Sequence, residues 1–164
     1  LDIRVGKIIK AWHHPEAEKL YCEEIDLGNG EIRQIASGLR PFYHDAKRDL
    51  EGRMVLVLCN LKKRNLVGFA SHGMVLCASN QDHSSVELVV PPPGVVPGER
   101  VTFDGYHVRD PEPENKMAKK KIFEAVAPDL QTNELGVVVW KNVPAMTSKG
   151  AVKALNGMAG AQVS

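Results

Sequence analysis

Short apolar stretches, with turn residues between them, dominate the first hundred residues of the chain. Residues 54–59 (Met-Val-Leu-Val-Leu-Cys) form a continuous aliphatic run after Gly52, and their short length favours a buried strand over a helix. Gly28-Asn29-Gly30 predicts a hairpin turn. Apolar positions predict further strands over residues 2–12, 21–27, 31–36, 74–78 and 100–103. This part of the chain is therefore predicted to be mainly β.

The order and length of these strands are typical of a small closed barrel. Gly6 interrupts the first strand, where a bulge or bend would let the barrel turn a corner. Residues 14–20, with Pro15 near the start, predict a brief helical turn. We therefore expect a five-stranded barrel of the oligonucleotide-binding (OB) type over residues 1–107.

A change in composition marks the second part of the chain, residues 108–164. Residues 109–114 are charged and rich in proline, which predicts a connector without regular structure. A helix is predicted over residues 116–126, ended by Pro128, and a strand over residues 136–140. The tail has too few large apolar residues to fold alone. We therefore expect a small α+β extension that packs onto the barrel.

Composition excludes several classes of protein. The chain has 164 residues, of which 43% are hydrophobic and 25% charged, and its formal net charge is +1. It has no run of about 20 apolar residues that would span a membrane, and no signal peptide pattern. Because the sequence starts in a strand without Met, we expect a module of a longer polypeptide. Three cysteines, Cys22, Cys59 and Cys77, predict buried reduced thiols and a cytoplasmic location.

Positive charge is concentrated in two short runs. Lys62-Lys63-Arg64 lies between two apolar strands, which predicts a cationic loop held at both ends by the core. Lys119-Lys120-Lys121 is the second run. Because the screening length is about 8 Å at physiological salt, such clusters act locally rather than through the field of the whole molecule. They indicate binding to a shaped polyanion such as a folded nucleic acid.

The polar residues match no enzyme motif. The chain has no nucleophilic triad, phosphate-binding loop or dinucleotide fingerprint. His13, His14 and Cys22 lack the spacing of a zinc site. Glu23 and Glu24 point to opposite faces of a strand, so they cannot act together as acid and base. We expect no catalytic residue, no metal and no cofactor.

Ordered motifs along the chain resemble the endothelial-monocyte-activating polypeptide II (EMAP II) type of tRNA-binding domain. The motifs are Asp2-Ile3-Arg4-Val5-Gly6-Lys7-Ile8, His14-Pro15-Glu16-Ala17-Glu18-Lys19-Leu20-Tyr21, Ser37-Gly38-Leu39, Asn60-Leu61-Lys62 and Ser71-His72-Gly73-Met74. The resemblance implies a module without catalytic activity that grips the outer corner of tRNA. It also implies a partner synthetase, in the same chain (tyrosyl or methionyl) or in a multisynthetase complex, and an isolated module that is a monomer.

The candidate RNA-binding residues lie in and around the cationic loop. Lys62, Lys63 and Arg64 are expected to contact phosphates, which gives affinity without reading sequence. The short polar side chains of Asn60 and Ser71 are expected to bond a ribose 2′-hydroxyl or a base edge. With aromatic residues at only 5% of the chain, we expect recognition by shape and no multi-aromatic stacking platform.

Further candidates come from position and from the resemblance. They are Met74, His72 (where relatives more often have Glu or Gln), Arg33, Ser37 and, as a second contact, the run Lys119, Lys120 and Lys121. Three alternatives stay open: Asn60 caps a turn, Met74 belongs to the core, and the lysine run is the solvated face of a helix.

Two other functions remain as alternatives to tRNA binding. The segment Arg4-Val5-Gly6-Lys7-Ile8-Ile9-Lys10 resembles the cytokine heptapeptide of the EMAP II family, which would suit an extracellular signalling polypeptide. The same segment is also predicted as the first barrel strand. A scaffold that binds another synthetase subunit is the other alternative, and salt-dependent tRNA binding would separate it from the main hypothesis.

Overall fold

The computed structural model describes residues 1–106 and 108–164, and the chain is mainly β. The strands in these residues are β1 (Ile3–His13), β2 (Tyr21–Asp26), β3 (Ile32–Ser37), β4 (Met54–Leu58), β5 (Arg64–Leu66), β6 (Phe69–Ser71), β7 (Met74–Val75), β8 (Cys77–Ser79), β9 (Val86–Val90), β10 (Thr102–Phe103), β11 (Leu130–Thr132), β12 (Val138–Trp140), β13 (Val143–Thr147), β14 (Gly150–Ala151), β15 (Lys153–Ala154) and β16 (Gln162–Val163). The helices are α1 (Glu114–Lys119) and α2 (Ile122–Val126), with a π-type turn at Ala46–Leu50 and a 3₁₀ turn at Ala127–Asp129. Neither these helices nor any other described here is long and apolar enough to cross a membrane.

Five antiparallel strands form a nearly closed barrel, as the sequence predicted. Their order is β3-β2-β1-β4-β7. The open edge between β3 and β7 is bridged where the backbone N–H of His72 donates to the carbonyl oxygen of Gln34 at 2.9 Å. The predicted irregularity in β1 lies between Ile8 and Lys10. Gly6 serves close packing instead, because a Cβ at this position would lie 2.7 Å from Cγ2 of Ile25.

The second part of the chain packs onto the barrel through shared sheets. Strand β16 pairs with β8, β15 pairs with β9, and β13 pairs with β10. Three strands that follow residue 130 are therefore hydrogen-bonded to strands within residues 77–103. The predicted boundary between residues 107 and 108 falls at His107, which lies outside the described residues, so the boundary itself stays a prediction.

The core has two layers, and β4 lies between them. Val55 and Val57 belong to the cluster inside the barrel. Leu56 and Leu58 point the other way, into the cluster shared with the extension. Successive side chains of a strand face opposite sides, so a strand buried on both faces has to be apolar at every position. This explains the continuous aliphatic run of residues 54–59.

Two local predictions were wrong. The helix predicted over residues 116–126 is divided into α1 and α2, because Lys121 has a left-handed φ of 48° that interrupts the helical hydrogen bonds. The three lysines at this junction, Lys119, Lys120 and Lys121, are exposed. Residues 14–20 form a non-helical turn, in which Nδ1 of His14 accepts hydrogen bonds from the backbone N–H groups of Glu16 and Ala17.

Candidate nucleic-acid interface

The predicted cationic loop folds in part into a two-stranded hairpin. Strand β5 pairs with β6, and Arg64 lies directly opposite Ser71. The turn residues Val67 and Gly68 have φ of 51° and 81°, and positive φ at both positions matches the twist of a hairpin. A β-branched residue rarely adopts positive φ, which is why the sequence pattern did not indicate this turn. We call residues 62–71 the cationic hairpin.

Three hydrogen bonds fix the cationic hairpin on the barrel. The His14 ring donates from Nε2 to the carbonyl oxygen of Leu66 at 3.0 Å, since its Nδ1 already accepts two N–H groups. The side-chain amide of Gln34 donates to the carbonyl oxygen of Ala70 at 3.0 Å. The hydroxyl of Ser71 accepts from the backbone N–H of Ala36 at 3.0 Å. The hairpin is therefore held by β3 and by the chain that follows β1.

The three cations at the start of the hairpin are available to a ligand. Lys62, Lys63 and Arg64 are exposed. Among residues 1–106 and 108–164, no ion pair involves any of them. Because directly opposed residues of a hairpin share a face, Arg64 and Ser71 are brought together as the site hypothesis requires.

The three small polar candidates are buried, and their polar groups are bonded within the protein. Oδ1 of Asn60 accepts from the backbone N–H of Asp2 at 2.9 Å, and Nδ2 donates to the carbonyl oxygen of Glu112 at 3.1 Å. Ser71 bonds β3, as described above, and the hydroxyl of Ser37 donates to the carboxylate of Glu23. Their direct contact with RNA stays a prediction, and in this structure they join neighbouring segments.

His72, Met74 and Arg33 are partly exposed at the same end of the barrel. Nε2 of His72 contacts the carboxylate of Glu114, the first residue of α1. Met74 packs against the cluster shared with the extension and lines a pocket of about 280 Å³ together with Ser37. Met74 therefore has one side in the core and another at the surface, so each of the two predictions made for it describes part of its environment.

Arginines near the hairpin are neutralised by acidic neighbours. The guanidinium of Arg33 donates to Glu31 at 2.6 Å and to the carbonyl oxygen of Cys59 at 2.5 Å. Arg4 binds Asp2 at 2.7 Å and Glu31 at 3.2 Å. Burial alone would raise the pKa of Glu31, but the hydrogen bond and charge of Arg33, with Arg4, hold it below its ordinary value. The uncompensated charge of this region therefore lies on the cationic hairpin.

The second lysine run lies at the end of a helix that begins beside the hairpin. Lys119, Lys120 and Lys121 are exposed. The contact between His72 and Glu114 places the start of α1 near the hairpin. Lys119 follows five residues later, which is about 7.5 Å along a helix axis. A second RNA contact at these lysines stays a prediction.

The cytokine-like segment, Arg4 to Lys10, forms the centre of β1. Val5 and Ile8 are completely buried, and the segment pairs with β4 from Arg4 to Lys7. Presenting this segment as a free peptide would require the barrel to open.

The residues considered for metal binding do not form a site. Both ring nitrogens of His14 are hydrogen-bonded, and Cys22 is buried. Within the part of the chain that the structure describes, no three His, Cys, Asp or Glu side chains are placed to hold a metal ion.

Sequence reasoning missed two groups of residues at this end of the barrel. The first group lies in the connector: Glu112 contacts Asn60 and Lys116, and Glu114 contacts His72. Trp12 and Phe69 form an aromatic pair with ring centroids 6.1 Å apart. Except for Glu112 and Lys116, which are four residues apart, the partners are distant along the chain and only the fold brings them together.

An OB-type barrel with uncompensated cations on a fixed hairpin defines a class of nucleic-acid-binding modules. Residues 3–100 match the family model described as "Putative tRNA binding domain". The chain therefore belongs to this tRNA-binding domain family.

This chain is similar to parts of longer proteins. The chain is 49% identical over 154 residues to "Methionine--tRNA ligase, cytoplasmic" of Arabidopsis thaliana, a match that covers 93% of this chain and 19% of that protein. It is 42% identical over 156 residues to "Aminoacyl tRNA synthase complex-interacting multifunctional protein 1" of Mus musculus, covering 94% and 48%. The crystal structure of the C-terminal domain of Plasmodium vivax p43 superposes with a TM-score of 0.90 at 36% identity, covering 100% of this chain and 96% of that one. The chain thus spans about half or less of the two full-length relatives.

Proposed function

We propose that this chain is a non-catalytic module that binds the outer corner of tRNA by shape and phosphate contacts and assists an aminoacyl-tRNA synthetase. The observation that carries the proposal is the exposure of Lys62, Lys63 and Arg64 on a hairpin that is fixed to the barrel. Cations held in one arrangement bind phosphates at fixed spacing, which favours a folded RNA over an unstructured polyanion.

Each candidate residue has a distinct part in the proposed complex. Lys62, Lys63 and Arg64 contact phosphates. Ser71 and Asn60 hold the hairpin and the connector in place through the hydrogen bonds described above. The partly exposed candidates His72, Met74 and Arg33 line the adjoining surface, and the exposed run at the end of α1 extends it.

The proposed setting follows from the similar proteins and from the packing. The names of the relatives describe cytoplasmic tRNA ligases and a protein that interacts with a synthetase complex, which supports a cytoplasmic partnership with a synthetase. The extension already covers the outer face of β4 at Leu56 and Leu58. Since that apolar face is not left open for a second copy, we infer that the isolated module is a monomer.

The salt dependence of tRNA binding tests the proposal. We expect Lys62→Ala and Arg64→Ala each to weaken binding of every folded tRNA. Each should also lower the slope of log affinity against log salt by roughly 0.7 to 0.9, the value for one lost phosphate contact. Lys149→Ala is the matched control, because Lys149 is an exposed lysine in the turn between β13 and β14 of the extension. Fluorescence anisotropy with a labelled tRNA measures both quantities.

Two results would reject the proposal. An unchanged slope in both hairpin variants would remove the cationic hairpin from the binding site. Equal affinity of the parent protein for folded tRNA and for duplex DNA of the same charge would refute recognition by shape. Salt-independent binding to a synthetase without tRNA binding would favour the scaffold alternative.

A further inference from the structure

An aromatic pair with a lysine beside it lies between β1 and the cationic hairpin. The rings of Trp12 and Phe69 meet edge to face at 76°, and both side chains are partly exposed. Nζ of Lys10 lies 5.1 Å from the centroid of the Trp12 ring. Lys10 precedes Trp12 by two residues, so both point to the same face of β1. We call Lys10, Trp12 and Phe69 the aromatic surface.

The topology explains why this pair faces outward. Trp12 is paired with Cys22, and Cys22 with Ala36, across β1, β2 and β3. The next pairing along the barrel, Ala11 with Glu23, has its side chains buried in the interior. The face that carries Trp12 is therefore the outer face. The hairpin lies on this face, where Ser71 accepts from the backbone N–H of Ala36. Cys22 and Ala36 are buried here, whereas Trp12 stays partly exposed.

The aromatic surface is continuous with the cations of the hairpin. Phe69 precedes Ser71 by two residues on β6, and Ser71 lies opposite Arg64. Phe69 and Arg64 thus share one face of the hairpin, about 7 Å apart along the strand direction. Lys10 lies over the Trp12 ring. A ring surface with cations beside it complements a nucleotide, which has an apolar base and an anionic phosphate.

We propose that the aromatic surface is a stacking site for one unstacked base of the RNA whose phosphates contact Lys62, Lys63 and Arg64. The inference rests on the proposed function and adds a specific contact to it. The Lys10 ammonium over the ring is a flexible exposed cation, and such cation–π contacts are weak. A stacked base can displace it, and the released ammonium is then placed to contact the phosphate of the same nucleotide.

The second tryptophan of the chain provides a matched control. Trp140 has the same local arrangement, with Nζ of Lys141 4.9 Å from its ring centroid and the ring of Tyr106 edge to face at 5.0 Å. It lines a cleft beside Ile3 at the other end of β1 from Trp12. The fluorescence of Trp140 therefore shows how tRNA changes the emission of a tryptophan that has a lysine over its ring but does not lie beside the cationic hairpin.

Fluorescence quenching tests the inference without altering Trp12. In Trp140→Phe the only remaining tryptophan is Trp12, because the chain has two. We expect its emission to be quenched by folded tRNA but not by inorganic polyphosphate, which has charge and no bases. In Trp12→Phe, where Trp140 alone emits, tRNA should leave the emission nearly unchanged. No quenching of Trp12 at saturating tRNA would overturn the inference.

Binding measurements provide the second test. Loss of one stacked base should lower tRNA affinity roughly 5- to 150-fold in Trp12→Leu. The salt slope should fall by no more than the roughly 0.7 to 0.9 of one phosphate contact, that of Lys10. Trp12→Phe keeps a ring and should retain most of the affinity, and Trp140→Leu should bind as the parent does. If Trp12→Leu binds tRNA as tightly as the parent while the slope still responds to Lys62→Ala, the stacking site is refuted and the proposed function stands. If the parent shows no salt-dependent binding, both fail.

Discussion

Glu23 should make the protein less stable as the pH rises from 5 to 8. Its side chain is completely buried inside the barrel, one oxygen accepts from the hydroxyl of Ser37, and the other has no partner among the described residues. Burial raises the pKa of this carboxyl from its ordinary 4.5 to about 8, although the Ser37 hydrogen bond opposes the shift. At neutral pH the folded protein therefore holds a proton here that the unfolded chain releases.

The sign and size of the effect follow from this difference. Because the folded state binds the extra proton, the free energy of unfolding falls as pH rises between the two pKa values. Each unit of pKa difference corresponds to about 1.4 kcal/mol. Between pH 5 and 7 the loss from this one group is about 2 to 3 kcal/mol, after allowing for its partial ionisation in the unfolded chain at pH 5.

Replacement of Glu23 by Gln isolates this contribution. The amide keeps the shape and an acceptor for Ser37 but cannot ionise, so Glu23→Gln should gain about 2 to 3 kcal/mol relative to the parent between pH 5 and 7. Urea unfolding followed by circular dichroism at each pH measures the difference. Glu24→Gln is the control, since it makes the same chemical change on the outer face of β2. If the free energies of unfolding of Glu23→Gln and of the parent change in parallel with pH across this range, Glu23 does not hold a proton in the folded protein.

Two further predictions concern the layers of the core and the thiols. Leu58→Ala should lower the free energy of unfolding by about 2 to 5 kcal/mol, because Leu58 is completely buried between the barrel and the extension; exposed Lys63→Ala should change it by less than about 0.5 kcal/mol in the same urea titration. Burial raises the pKa of Cys59 and of Cys77 to about 12, so neither thiol should react with iodoacetamide at pH 8 in the native protein, whereas both should react in denaturant, as mass spectrometry would show. Rapid native labelling of both would contradict their burial.

Strand patterning predicted most of the barrel because its signals are local. Residues 2–12 are apolar where β1 faces the core, and residues 54–59 are apolar throughout because β4 is buried on both faces. Both patterns can be recognised within a short window of sequence. The extension was predicted to pack onto the barrel because its tail has too few large apolar residues to form a core alone. Its strands do bury Leu56 and Leu58.

The candidate site was less predictable because its contacts are distant in sequence. Asn60 has the residue type of an RNA contact, but its amide is occupied by Asp2 and by Glu112, which follows it by 52 residues. Lys121 could be recognised as a helix break only from its left-handed backbone. Val67 likewise occupies a turn position that glycine or asparagine usually signals. Residue type identified the region, and the fold determined which side chains are free.

The extension has a second consequence besides covering the barrel. Its connector accepts a hydrogen bond from Asn60 through Glu112, and the first residue of α1 contacts His72. Asn60 lies two residues before Lys62, the first residue of the hairpin, and His72 directly follows Ser71, its last residue. Both ends of the cationic hairpin are therefore attached to the connector as well as to the barrel. Because fixed charges bind a folded RNA with less loss of conformational entropy than mobile ones, we expect this attachment to contribute to tRNA affinity in addition to the contact proposed for Lys119, Lys120 and Lys121.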